Sequence, residues 1–142
     1  MELLAWSEQL RVGNNAIDSD HKYLINIIND IKRSLESKDR AQLQDLLDAL
    51  SDYSLVHFER EERIAEAAGY LQTPHLSASH QQLFKQLDNV KAEFNKMGEE
   101  WSSEANVYLA KFLSDWLINH VINEDLLMKP LLETFSPSFD AS

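Results

Sequence analysis

Apolar residues recur along this chain at alternating spacings of three and four, the rhythm of one face of an α-helix. Four such stripes follow one another. The first holds His21, Leu24, Ile28, Ile31 and Leu35, with Asp18 or Ser19 placed to cap its start. The second opens near Asp39, runs through Leu43, Leu46, Leu50, Tyr53, His57, Glu61 and Ile64, and stops before Gly69. The third has Thr73 as cap and Pro74 at its first turn, continues through Leu76, His80, Leu83, Leu87, Val90 and Phe94, and ends at Gly98. The fourth, capped near Ser102 or Ser103, carries Leu109, Leu113, Trp116, His120, Glu124, Leu127 and Leu131, and Pro130 stands where it would kink or end the helix.

Amphipathic helices joined by short connections predict an all-α fold, an antiparallel up-down-up-down four-helix bundle. The preceding stretch, LLAWSEQLRVGNNAI, has no helical period. It reads as an arm over residues 1–17 that lays Trp6, Leu10, Val12 and Ile17 across the bundle. The bundle is then expected over 18–135, with a polar tail over 136–142. One core suits a chain of 142 residues, so the whole reads as one domain.

Charge and composition narrow the chemistry. A formal net charge of −11 disfavours nucleic acid and anionic membrane surfaces as partners, because their phosphates would be repelled. The chain has no cysteine, which excludes disulfides, thiolate metal sites and cysteine nucleophiles. No secretory leader and no apolar run of spanning length is visible, so the expected location is the cytoplasm.

Against that background the histidines stand out. His21, His57, His80 and His120 each sit on the apolar stripe of a different helix. One histidine on such a face is ordinarily a core residue with a hydrogen-bond partner. One per helix, with Glu61 a turn beyond His57, would cost several kcal/mol to bury without strong partners. A cation bound by the imidazoles and the carboxylate removes that cost, and bundle cores are recurrent metal sites. Imidazole and carboxylate without thiolate suit iron, manganese or zinc. In an up-down-up-down bundle these positions all fall toward one end. Glu59 and Glu62 read as rotated toward solvent.

The segments VGNNAIDSDHKYL, HFEREE and HVINED resemble the signatures of bacterial hemerythrin domains, over a stretch from about Trp6 to about Leu132. The resemblance implies a four-helix bundle with a non-haem di-iron centre that binds dioxygen or small anions. The two iron ions would be carboxylate-bridged, and oxo-bridged when oxidised. Carried over by position, His21 and His57 would hold one iron and His80 and His120 the other, with Glu61 and Asp125 as bridges. By helical spacing alone Glu124, four residues after His120, competes with Asp125, and only the family motif favours Asp125.

One position departs from the family pattern. Two histidines four apart are expected at the start of the third helix, but Leu76 stands four before His80, and a histidine appears at 75 instead. On a regular helix residues 75 and 80 are about 140° apart, and His75 heads a polar stripe with Ser79, Gln82 and Gln86. Either His75 faces solvent and the second iron lacks a ligand, as a regular helix requires, or a wider turn near Pro74 swings His75 inward as a candidate ligand. A missing ligand would open that iron to outside molecules and suit an oxygen or redox sensor. Such a sensor could belong to a signalling protein with an output domain on the same chain, such as a diguanylate cyclase or chemoreceptor. The alternatives are a free-standing dioxygen carrier or store, a di-iron enzyme of peroxidase type, and a metal-free structural bundle. The domain itself is not expected to be an enzyme unless it has that peroxidase-type activity.

Overall fold

The computed structural model describes residues 2–140; the outermost parts of the predicted arm and tail, at 1, 141 and 142, lie outside the described residues. Helix α1 spans Asn15–Ser37, α2 Arg40–Ala68, α3 Thr73–Lys96 and α4 Ser103–Asn123. A 3-10 turn, Asp125–Met128, and a single helical turn, α5 at Lys129–Leu132, follow. The four long helices form the predicted antiparallel bundle. Helix α1 packs against both α2 and α4, and α2 against α3, whereas α3 and α4 make hardly any close backbone approach.

Several helix boundaries differ from the sequence reading, each for a local reason. Helix α1 starts at Asn15, before Asp18 and Ser19, because Asn14 is its cap: the Asn14 side chain accepts from the backbone N–H groups of Ala16 and Ile17. Asp18 instead reaches back and accepts from Val12 N–H at 2.8 Å and Gly13 N–H at 3.2 Å, which ties the arm to the helix. Gly13 makes this turn at φ +94°, a left-handed conformation that favours glycine. Thr73 is the first helical residue of α3 rather than its cap, and α3 ends at Lys96, before Gly98. Asp39 and Ser102 cap α2 and α4 through their side chains, as expected.

Helix α4 does not continue to Leu131. It ends at Asn123, and Glu124 leaves the helical region (φ −123°, ψ −58°) before the 3-10 turn starts at Asp125. Pro130 lies in the first turn of α5, where its missing N–H costs nothing. The arm follows the bundle surface. Leu10 and Val12 are buried, Trp6 is half-buried, and Leu4 exchanges two backbone hydrogen bonds with the Asn29 side chain.

The core has two apolar clusters. The larger includes Leu24, Ile28, Leu50, Leu87, Phe94, Leu113 and Leu117, and the smaller includes Val12, Ile17, Ile64, Leu76, Met128 and Leu132. On α1, α2 and α3 the stripe histidine falls between a residue of one cluster and a residue of the other, and His120 on α4 falls between Leu117 of the larger cluster and Met128 of the smaller, in the following 3-10 turn. A polar layer is therefore enclosed between two apolar ones, near one end of the bundle. Among the described residues no helix is long and apolar enough to cross a membrane.

Candidate metal centre

Each stripe histidine enters that layer from its own helix: His21 from α1, His57 from α2, His80 from α3 and His120 from α4. Glu61 joins them one turn beyond His57, and it is fully buried. Asp125 is also fully buried, although it lies five residues after His120. The break at Glu124 makes this geometry: leaving the α-helix for one residue rotates Asp125 inward and leaves Glu124 on the outer side of the wall. There Glu124 accepts a hydrogen bond from the Ser79 hydroxyl at 2.6 Å. The helical spacing that favoured Glu124 fails because the helix ends first.

The donor atoms converge in two groups. His21, His57, Glu61 and Asp125 form one, and Glu61, His80, His120 and Asp125 the other; within each group the donor atoms lie within 4.8 Å of one another. Glu61 and Asp125 belong to both. His57 Nε2 is 3.0 Å from Glu61 Oε2, His80 Nε2 is 3.1 Å from Glu61 Oε1, and His21 Nε2 is 2.9 Å from Asp125 Oδ2.

His75 is not in this assembly. Its side chain is 66% exposed and its Nε2 lies 3.5 Å from Glu124 Oε2, on the outer face. Leu76, 2% exposed, points with His80 into the bundle and packs in the smaller apolar cluster. The regular start of α3 leaves no wide turn to swing His75 inward.

Two carboxylates that the sequence reading did not assign to the site orient the imidazoles. Asp20 Oδ2 lies 2.9 Å from His57 Nδ1, and Glu62 Oε2 lies 2.8 Å from His80 Nδ1. Such partners accept a hydrogen bond from Nδ1–H and leave the Nε2 lone pair facing inward. Glu62 is thus half-buried on His80 rather than turned to solvent, while Glu59 is exposed as expected. Asp20 is held in turn by the Tyr53 hydroxyl at 2.7 Å and by Arg60. Phe58 stacks on the His80 ring, centroids 4.2 Å apart. No local spacing could have revealed Asp20 or Glu62, because each acts on a histidine of another helix.

The donor set fits a metal. His21 Nε2, His57 Nε2, His120 Nε2, Glu61 Oε2 and both Asp125 oxygens are buried without a hydrogen-bond partner. They lie close enough to attract one another strongly, yet they do not meet hydrogen-bond geometry. Unpartnered buried polar atoms are costly, and a cation in each of the two donor groups would satisfy them.

Comparison with known proteins agrees. The family model of the hemerythrin HHE cation binding domain matches residues 12–132. The chain belongs to the hemerythrin family. It is 31% identical to a bacteriohemerythrin of Pseudomonas aeruginosa over 125 residues, covering 88% of this chain and 78% of that protein. It is 30% identical over 134 residues to a bacteriohemerythrin of Methylococcus capsulatus, covering 93% of this chain and 98% of the relative. The crystal structure of wild-type hemerythrin superimposes with a TM-score of 0.78 at 26% identity, covering 92% of this chain and 98% of that one.

Electrostatics in this hemerythrin-family centre give a pH prediction for the metal-free protein. Burial favours neutral His21 and His120, but Asp125 and Glu61 outweigh it and raise their pKa values to about 9 and about 10. Burial likewise opposes charge on Glu61, yet the surrounding histidines, His57 first, hold its carboxyl well below the ordinary range. The raised histidines stabilise the metal-free fold fully below their ordinary value of 6.5, and this contribution is lost as pH rises through about 9 to 10. Glu61 contributes above its ordinary 4.5 and loses that contribution in acid, as pH falls through its folded value. The melting temperature of the chelated protein should therefore fall between about pH 6 and pH 10. Metal displaces the same protons, so the loaded protein should hold its melting temperature over that range. Parallel falls in both forms would show that the histidines are not charged in the metal-free core.

Proposed function

We propose that the chain holds two non-haem irons and binds dioxygen or small anions at them, as an oxygen or redox sensor acting in the cytoplasm. The two donor groups that share Glu61 and Asp125 carry this reading. His21 and His57 would hold one iron, His80 and His120 the other, with Glu61 and Asp125 common to both. When bound, the ferrous pair supplies the electrons that dioxygen draws on.

The protein's own side chains do the rest. Asp20 and Glu62 fix the orientation of one imidazole in each half. The two apolar clusters keep bulk water from the layer between them. Leu76, buried beside His80, supplies no donor, so an iron in the second half would keep one side open to an outside ligand. An open side favours rapid exchange with outside molecules and rapid oxidation, which suits sensing better than storage.

Iron analysis with an absorption spectrum before and after air exposure tests this reading. The expected result is two irons per chain and a reduced form that air oxidises quickly. One iron per chain at full occupancy would overturn the dinuclear centre. A reduced form that survives prolonged aeration would instead favour a carrier.

A further inference from the structure

The groove between α3 and α4 mixes polar side chains with apolar ones, Leu83, Phe112 and Trp116 among them. The stripe of Ser79, Gln82 and Gln86 on α3 faces Asp115, Asn119 and Glu124 on α4 across an open groove of about 400 Å³. Lys111 pairs with Asp115 at 2.7 Å, at the end away from the metal layer. His120 lies in the wall of the groove, its side chain only 4% exposed and its Nε2 turned inward, 3.0 Å from Asp125 Oδ1 in the metal layer. Glu124 lines the groove and the next residue, Asp125, is fully buried in the metal layer, so adjacent carboxylates stand on the two sides of one wall.

The geometry points to this groove as the capture site through which a hydrated divalent cation loads the His80–His120 half of the centre. The inference rests on the function proposed above. A divalent ion in water carries a shell that oxygen groups hold well. The groove offers carboxamides, a hydroxyl and carboxylates for that purpose, and imidazole suits iron once the shell is shed. The order of donors along the path, from oxygen at the surface to nitrogen at His120, matches an ion that loses water as it advances. The Glu124 carboxylate in the cleft also favours the arrival of cations. Glu124 would take the ion at the inner end and pass it to Asp125 and His120.

The test follows cobalt(II) binding to the metal-free full chain by stopped-flow absorption. Gln82 is exposed, so charge can be placed in the groove there without disturbing the core. Gln82→Lys should slow loading roughly fivefold, and Gln82→Glu should speed it. Gln81→Lys, the same change on an exposed residue outside the groove, should alter the rate little. Glu124→Gln should also slow loading, while the amount of cobalt bound at the end point stays unchanged. Equal rates for Gln82→Lys and Gln81→Lys would overturn the capture site. An end point other than two cobalt ions per chain in the unaltered protein would count against the dinuclear reading instead, and the rate comparison would stand on its own.

Discussion

Glu61→Ala should empty both halves of the centre, not one. The Glu61 carboxylate is fully buried and lies 3.0 Å from His57, 3.1 Å from His80, 3.5 Å from His21 and 3.8 Å from His120. Among the described residues no other side chain comes so near all four histidines. Removing it withdraws a donor from both donor groups and leaves four imidazoles facing a cavity. The metal-free fold suffers too, because breaking a buried ionic network by deleting one partner costs about 3–5 kcal/mol. The measurement is iron per chain, with melting curves in the presence and absence of metal. Glu59→Ala, two residues earlier on the exposed side of α2, should keep its full complement. Tyr53 would be a poor control, since its hydroxyl holds Asp20 against His57. One iron retained per chain in Glu61→Ala would show that the carboxylate serves a single metal.

How much of this was legible in the sequence follows from where the information lies. The helices were legible because burial repeats with the helical period, and Leu24, Ile28, Ile31 and Leu35 are all buried as their spacing requires. The meeting of His21, His57, His80 and His120 was legible for the same reason: each shares its stripe with core residues, and alternating helix directions bring the four to one level. Helix ends were less legible. Asn14, Asp18 and Ser19 are all competent caps, and the choice among them is made by the left-handed turn at Gly13 and by the arm, to which Asp18 is committed. The inward turn of Asp125 was hidden from periodicity, which treats Glu124 as helical, and only the family motif pointed to Asp125. Asp20 and Glu62 were hidden for a different reason. Their partners lie on other helices, so only the assembled bundle shows what they touch.

Leu76→His should give the largest change in ligand exchange. Leu76 shares a face of α3 with His80, and four-residue spacing on a helix stacks the two side chains. An imidazole there would need no change of backbone and would replace a branched side chain of similar bulk. Its surroundings decide the sign of the stability effect. Leu76 lies in one apolar cluster with Ile64, Met128 and Leu132, so without metal the new imidazole is a buried polar group among apolar ones. That costs about 1–3 kcal/mol, and the metal-free variant should melt at a lower temperature than the metal-free parent. With metal bound the same imidazole gains a partner, and the loaded variant should recover that loss or exceed it, because binding to the folded form adds to its stability. The open side of the second half would then be closed. Air oxidation of the reduced protein should slow, and azide should bind more weakly. His75→Ala should leave all of these unchanged, since His75 stands outside the metal layer against Glu124. If His75→Ala lost iron while Leu76→His lost stability in both forms, His75 would be a ligand in solution, and the open position on which the sensing role depends would not exist.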